Sequence, residues 1–327
     1  MADEDNSALV SQRNSVRCRY CGQRNQVHEE KNGELRCGRC RLLLSAEPHK
    51  KFAALDKDRY IHAADSRALA ALRAIPGIDT ALKKLLEVTG ESAIRVIFTA
   101  SAVKVTPKQC PDLNAKLQVA CSTLGVDMPE LFVQQSPIPN AFTGGVKRPV
   151  IVLYSALIER LTDEEVLAVL SHEVGHIHAE HVLYITAARL IELAANAAIV
   201  AAPLAMLIKQ LLSLTMRYAL LAWSRRAELS CDRAALLVTQ DHHVVGRTMM
   251  KLAGGTFASK VDYEQFLEQG RDFQKNYDEK ALDRFWADII TASMSHPLPV
   301  WRVSEILKWV ESGRYAALIN EPESAAA

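Results

Sequence analysis

The chain has 327 residues, long enough to bury a sizeable core in one large domain or two smaller ones. Its 39 basic and 38 acidic side chains nearly cancel to a formal charge of +1, which excludes a global field directed at nucleic acid, acidic substrates or an anionic membrane.

Residues 1–15, MADEDNSALVSQRNS, are acidic and polar. They carry no apolar run and form no secretory signal, so they are expected to be disordered and the chain to work in the reducing cytoplasm. Residues 16–45 follow as a small unit in which Cys18, Cys21, Cys37 and Cys40 form two C-x-x-C pairs, with an Asn32-Gly33 turn between them. Fifteen residues separate Cys21 from Cys37, the spacing of a four-thiolate zinc site. So short a segment buries too little apolar surface to fold alone, which makes this zinc structural. The segment resembles the zinc ribbons of many bacterial proteins. Arg13, Arg17, Arg19, Arg24, Arg36, Arg39 and Arg41 would suit a nucleic acid, but Tyr20 is the sole aromatic among them. Stability or protein docking is expected of the ribbon, and nucleic acid is not expected as a partner.

Residues 52–327 are read as the main domain. Leu69, Leu72, Ile75, Leu82, Leu85 and Leu86 fall at helical spacing with a break at Ile75-Pro76-Gly77, giving two or three helices before residue 90. Residues 111–126 repeat the pattern and stop at Gly125. ELFVQQ and PVIVLYSAL read as strands flanking a Pro/Gly loop, SPIPNAFTGGVKR. Thr162 then caps a helix whose first turn carries Asp163, Glu164 and Glu165, with Val166, Val169, Leu170, Val174 and Ile177 as its apolar stripe.

On that helix His172 and His176 are four residues apart, so both imidazoles leave one face and can bind one ion, with Glu173 about 100° around the axis. This H-E-x-x-H pattern is a zinc motif that also arises on solvated helix faces. Gly175 between the ligands leaves room for a close neighbour. A catalytic zinc needs a third protein ligand and an open position. Residues 223–238 offer Glu228 for that role and, one turn on, Asp232, placed to accept the second N–H of a ligating imidazole. Cys231 is read as packing and His178 and His181 as non-ligands, because their angular positions differ from those of the pair.

Between these segments, residues 193–208 are uncharged. A sixteen-residue helix spans about 24 Å, short of the roughly 30 Å hydrocarbon core, and Pro203 and Arg217 weaken a span further. The stretch is expected to form an apolar helical hairpin at 185–223, packed on the domain or touching a membrane surface peripherally through 193–223.

Four blocks in order, PNAFTGG (139–145), residues 152–181, SRRAELSCDRAALL (224–237) and SHPLPVWRVSEI (295–306), together resemble the M48-type zinc metallopeptidases, the family of the HtpX membrane proteases. The resemblance covers about the last two thirds of the chain. It implies a mostly α, α+β fold: a gluzincin-type metalloprotease domain with a small β-sheet, here behind a zinc ribbon where the family has membrane spans. It also implies a zinc metalloendopeptidase of proteins or peptides with one catalytic and one structural zinc. His172, His176 and Glu228 would hold the catalytic ion, Glu173 would be the general base, Asp232 would orient a ligand and His296 would stabilise the oxyanion. Asn140, Ala141 and Phe142 would bind substrate along an edge strand, and His181 would match a histidine that some members carry and orient neighbouring helices. The alternative is a non-catalytic zinc-binding adapter that recruits partners through the ribbon and the hairpin.

Overall fold

In the computed structural model, residues 14–27, 35–44, 49–52, 54–89, 91–196, 201–279 and 298–321 are described. Strands β1 (Asn14–Arg17) and β2 (Arg24–Val27) pair antiparallel. The ribbon hairpin thus begins at Asn14, two residues inside the stretch expected to be disordered, because Asn14 and Ser15 pair with Val27 and Gln26. The residue after each second cysteine, Gly22 and Arg41, has a positive φ (74° and 64°), and this matched pair of turns folds the two C-x-x-C segments toward each other.

Helices α1 (Ala63–Arg73), α2 (Ile78–Thr89) and α3 (Glu91–Ser101) follow, then β3 (Val103–Lys104) and α4 (Pro111–Leu124). Gly77, with φ 78°, separates α1 from α2, and Gly125, with φ 70°, ends α4. Strands β4 (Glu130–Gln134), β5 (Ala141–Gly144) and β6 (Val150–Tyr154) complete a second sheet in the order β3-β4-β6-β5, with β4 and β6 parallel and the other pairs antiparallel. The stretch between the two expected strands is therefore more than a loop, since it adds β5 as an edge strand. β6 reads as a continuous apolar run because both its faces are covered: Ile151 and Leu153 enter the main core, Val150 and Val152 the cluster with Phe132.

Helices α5 (Ser155–Arg160), α6 (Asp163–His178), α7 (Val182–Asn196), α8 (Ala201–Leu211), α9 (Leu214–Thr239), α10 (His242–Gly254), α11 (Tyr263–Glu279), α12 (Pro299–Glu311) and α13 (Arg314–Asn320) follow among the described residues. α6 and α9 are the central pair, flanked by α1, α4, α10 and α12. α9 has 26 residues and serves two cores. Its first half places Leu220, Trp223 and Ala227 among α1, α2, α7 and α8, and its second half places Ala234 to Val238 in the main core.

Within the stretch expected as a hairpin, α7 and α8 pack on each other and on α2 by apolar contacts, whereas residues 214–223 belong to the long helix α9. Among the described residues no single helix is long and apolar enough to cross a membrane. Ala205–Leu211 and Leu214–Thr239 meet that test only together, bent by 105°.

Candidate active site

Helix α6 begins at a complete capping box. The Glu165 N–H donates to Thr162 Oγ1 at 3.3 Å and the Thr162 N–H to Glu165 Oε2 at 2.7 Å, a device worth about 1 kcal/mol. Val166, Leu167, Val169, Leu170 and Val174 are buried, each worth about 1.5–3 kcal/mol. α9 packs along α6, and at Gly175 it leaves no room for a β-carbon beside Ala234.

The approach of α9 brings its Glu228 onto the histidines. Nε2 of His172 lies 3.3 Å from Glu228 Oε2, and Nε2 of His176 lies 3.4 Å from Glu228 Oε1. Both Nε2 atoms are buried and make no hydrogen bond. Two bare imidazole nitrogens facing one carboxylate are a donor set that suits zinc. On its other side His172 Nδ1 is 3.0 Å from Asp232 Oδ1. Arg302 of α12 grips that carboxylate with two bonds, Nη2 to Oδ1 at 2.5 Å and Nε to Oδ2 at 2.7 Å, and its Nη1 lies 3.5 Å from Glu228. Burial lowers the His172 pKa, yet the Glu228 and Asp232 carboxylates outweigh it and hold it up to about 9. Burial raises Asp232, but Arg302 leaves it below its ordinary value. His176 is pushed down by burial.

Glu173 is reached from the sheet. Thr143 of β5 donates its hydroxyl to Glu173 Oε2 at 2.7 Å and lies 3.1 Å from the Glu173 carbonyl oxygen. A cavity of about 280 Å3 opens here, lined by Asn140, Ala141, Val169, His172, Glu173 and Arg302 among others. Asn140 and Ala141 thus share the cavity with His172 and Glu173. The side chain of Phe142 does not, because strand alternation turns it to the other face of the sheet, 5.6 Å from the Phe98 ring.

A model of peptidase family M48 matches residues 107–310, more than half of the chain. The chain belongs to peptidase family M48. It is 38% identical over 295 residues to the plastoglobule-localized metallopeptidase 48, chloroplastic, of Arabidopsis thaliana, a match spanning 88% of this chain and 83% of that protein. It is 31% identical over 96 residues to a protease HtpX homolog of Moorella thermoacetica, across 28% of this chain and 32% of that one. With protease HtpX homolog 2 of Methanosarcina mazei the identity is 23% over 181 residues, 49% of this chain and 60% of the other. No solved structure matches it. As an M48 member the protein is a zinc metallopeptidase acting on proteins or peptides, and the adapter reading is not favoured.

In this M48 peptidase the Sγ of Cys231 also groups with donor atoms of His172 and His176 within 4.8 Å. Burial and the surrounding carboxylates, Glu228 first, push that thiol well above its ordinary pKa. His178 Nδ1 is 2.9 Å from the Tyr60 hydroxyl, away from the histidine pair. His181 is closer than its angle on a continuous helix suggests. α6 ends at His178, and Glu180, with φ 59°, turns the chain so that His181 Nδ1 comes 3.4 Å from His176 Nδ1. His296 lies outside the described residues.

The four ribbon cysteines come together with all sulfurs free and within 4.8 Å of one another. Cys18 and Cys40 are 3.7 Å apart and Cys21 and Cys37 3.6 Å. Sulfurs about 2.3 Å from a tetrahedral zinc stand about 3.8 Å apart, so the cluster fits the ion. The ribbon docks on the start of α6. Arg36 Nη1 and the Leu43 N–H donate to Glu164 Oε1 at 2.8 and 3.1 Å, Arg41 Nε lies 3.6 Å from Asp163, and Arg39 donates to Gln118. Cys18, Tyr20, Cys37, Cys40 and Leu42 share the main core. Three of the seven arginines, Arg36, Arg39 and Arg41, are thus engaged with protein.

Sequence reasoning gave no role at the metal site to Arg302, Thr143 or Asp65. Arg302 and Thr143 sit inside the quoted family blocks. Asp65 carries no local signal at all.

Proposed function

We propose that this M48 peptidase cleaves internal peptide bonds, with one zinc held by Nε2 of His172, Nε2 of His176 and the Glu228 carboxylate. The observation that carries the reading is the pair of buried Nε2 atoms without hydrogen bonds, each facing an oxygen of Glu228. Glu228 is preferred to Cys231 as third ligand because Nε2 of each imidazole faces an oxygen of the carboxylate. Zinc supplies a Lewis acid for the scissile carbonyl and the attacking water.

Glu173 takes the water's proton and returns it to the leaving amine. Thr143 holds Oε2 of Glu173, so the carboxylate keeps one orientation and its other oxygen serves the water. Asp232, gripped by Arg302, accepts the Nδ1 proton of His172 and thereby presents the Nε2 lone pair to the ion. The substrate lies along the outer edge of β5 by main-chain hydrogen bonds, so Asn140, Ala141 and Phe142 contribute backbone and only the first two add side chains to the cavity. His296 is assigned to the oxyanion on its sequence position alone. The ribbon holds a second, structural zinc. A peripheral contact with a membrane is proposed through the hairpin region, where Met206, Leu214 and Tyr218 are exposed beside Lys209.

The test is peptide cleavage and metal content of the purified chain beside Glu173→Gln. The variant should keep its metal and lose about 10²–10⁴-fold in kcat. An active Glu173→Gln enzyme would overturn the mechanism.

A further inference from the structure

We propose that Asp65 and His181 are positioning residues for His176: a chain of hydrogen bonds from the Asp65 carboxylate through the His181 imidazole fixes which nitrogen of His176 carries the proton. The inference rests on the reading of His176 as a metal ligand. Asp65 lies on α1, upstream of the residues 107–310 that match the family, so this part of the site comes from outside the matched segment.

Asp65 is buried, 1% exposed. Ser230 Oγ donates to its Oδ2 at 2.5 Å, Trp223 Nε1 donates to its Oδ1 at 2.9 Å, and His181 Nε2 lies 3.1 Å from Oδ2. An ionised carboxylate only accepts, so Nε2 of His181 must be the donor. In the tautomer that carries its proton on Nε2, His181 presents a bare Nδ1, 3.4 Å from Nδ1 of His176. That makes His176 Nδ1 the donor, although the bond is long, and leaves the lone pair of His176 on Nε2, facing Glu228. The Cys231 thiol, 3.8 Å from the same His181 nitrogen, can point its weak donor at that lone pair without reversing the polarity. His172 reaches its carboxylate directly through Asp232, whereas His176 reaches one through an intervening imidazole.

Asp65→Asn reverses the chain. If the amide oxygen keeps Trp223, the amide N–H faces Ser230 and His181, so His181 must accept at Nε2 and carry its proton on Nδ1. Two N–H groups then oppose each other, and His176 relieves this by moving its proton to Nε2, the ligating atom.

The experiment measures zinc affinity of the full chain by chelator competition, with the ribbon zinc as internal reference, together with thermal unfolding. Asp65→Asn should bind the second zinc 10–100-fold more weakly, the usual cost of losing a partner behind a ligand. Excess zinc should restore its activity. Trp223→Phe removes another bond from the same carboxylate but keeps its polarity, so it should unfold earlier at unchanged affinity. Should Asp65→Asn fail to fold, His181→Phe tests the same chain and should show the same loss. Wild-type affinity in the variant that folds, or an equal loss in Trp223→Phe, overturns the proposal. His172→Ala separates the underlying reading, which fails if that variant keeps both zinc ions.

Discussion

Gly175 lies against Ala234 so closely that a β-carbon at position 175 would stand 2.8 Å from the Ala234 β-carbon and 3.3 Å from the Cys231 α-carbon. The two backbones therefore touch between His172 and His176 on one helix and beside Glu228 on the other. A methyl group at 175 has nowhere to go without parting α6 from α9. Gly175→Ala should cost about 1–3 kcal/mol by overpacking, even though alanine favours a helix. It should also weaken zinc binding by drawing Glu228 back. Denaturant unfolding and chelator competition would read both, and a variant as stable as the wild type would show that the helices part freely.

Two metal ions of different character are expected per chain. Cys40→Ser should remove one and His176→Gln the other, with chelator stripping the His-His-Glu site before the closed thiolate site. Because Cys37, Cys40 and Leu42 are buried in the main core, the cysteine variant should also lower the unfolding temperature of the whole chain. Metal analysis finding one zinc in the fully loaded wild type would remove one of the assignments.

His49 makes the junction between ribbon and domain sensitive to acid. Its ring packs on Tyr20 at 4.7 Å between centroids, its Nε2 is 2.6 Å from the Val238 carbonyl oxygen, and burial lowers its pKa from 6.5 to about 4. Below pH 6.5 the unfolded chain takes up a proton that the folded chain refuses. The contribution is complete above pH 6.5 and shrinks as the pH falls toward about 4, a loss of about 2–3 kcal/mol. Unfolding curves at pH 7 and pH 4.5 should converge for His49→Gln relative to wild type. Equal acid sensitivity in both proteins would place the effect elsewhere.

Arg302 should act through Asp232. Arg302→Lys keeps the charge but loses the two-pronged grip, so zinc affinity should drop about 10–100-fold while the fold survives. Unchanged affinity would mean that Asp232 orients His172 without help.

The exposed Met206, Leu214 and Tyr218 should carry any lipid contact. Co-sedimentation with anionic vesicles should fall when all three are replaced by serine, and carbonate washing should release the wild type. Resistance to every wash short of detergent would show an integral attachment instead.

The linear sequence was sufficient wherever the chemistry is local. Cys18 with Cys21 and Cys37 with Cys40 are paired by short spacing, His172 with His176 by one helical turn, and Thr162 with Glu165 by the capping box, so each pair is adjacent before any tertiary contact forms. Even Glu228 and Asp232 were legible, because one helix face carries both and the family blocks supply the pairing with His172 and His176. What only the folded chain decided is what converges from separate elements. The break of α6 at Glu180 returned His181 to His176, α1 brought Asp65 beneath it, α12 carried Arg302 to Asp232, and strand alternation sent Thr143 to Glu173 and Phe142 away. Thr143, His181 and Arg302 have only their place in the family blocks and Asp65 has no sequence signal, since a lone aspartate, threonine or arginine reads as solvated surface until the packing of a buried helix face shows what it lies against.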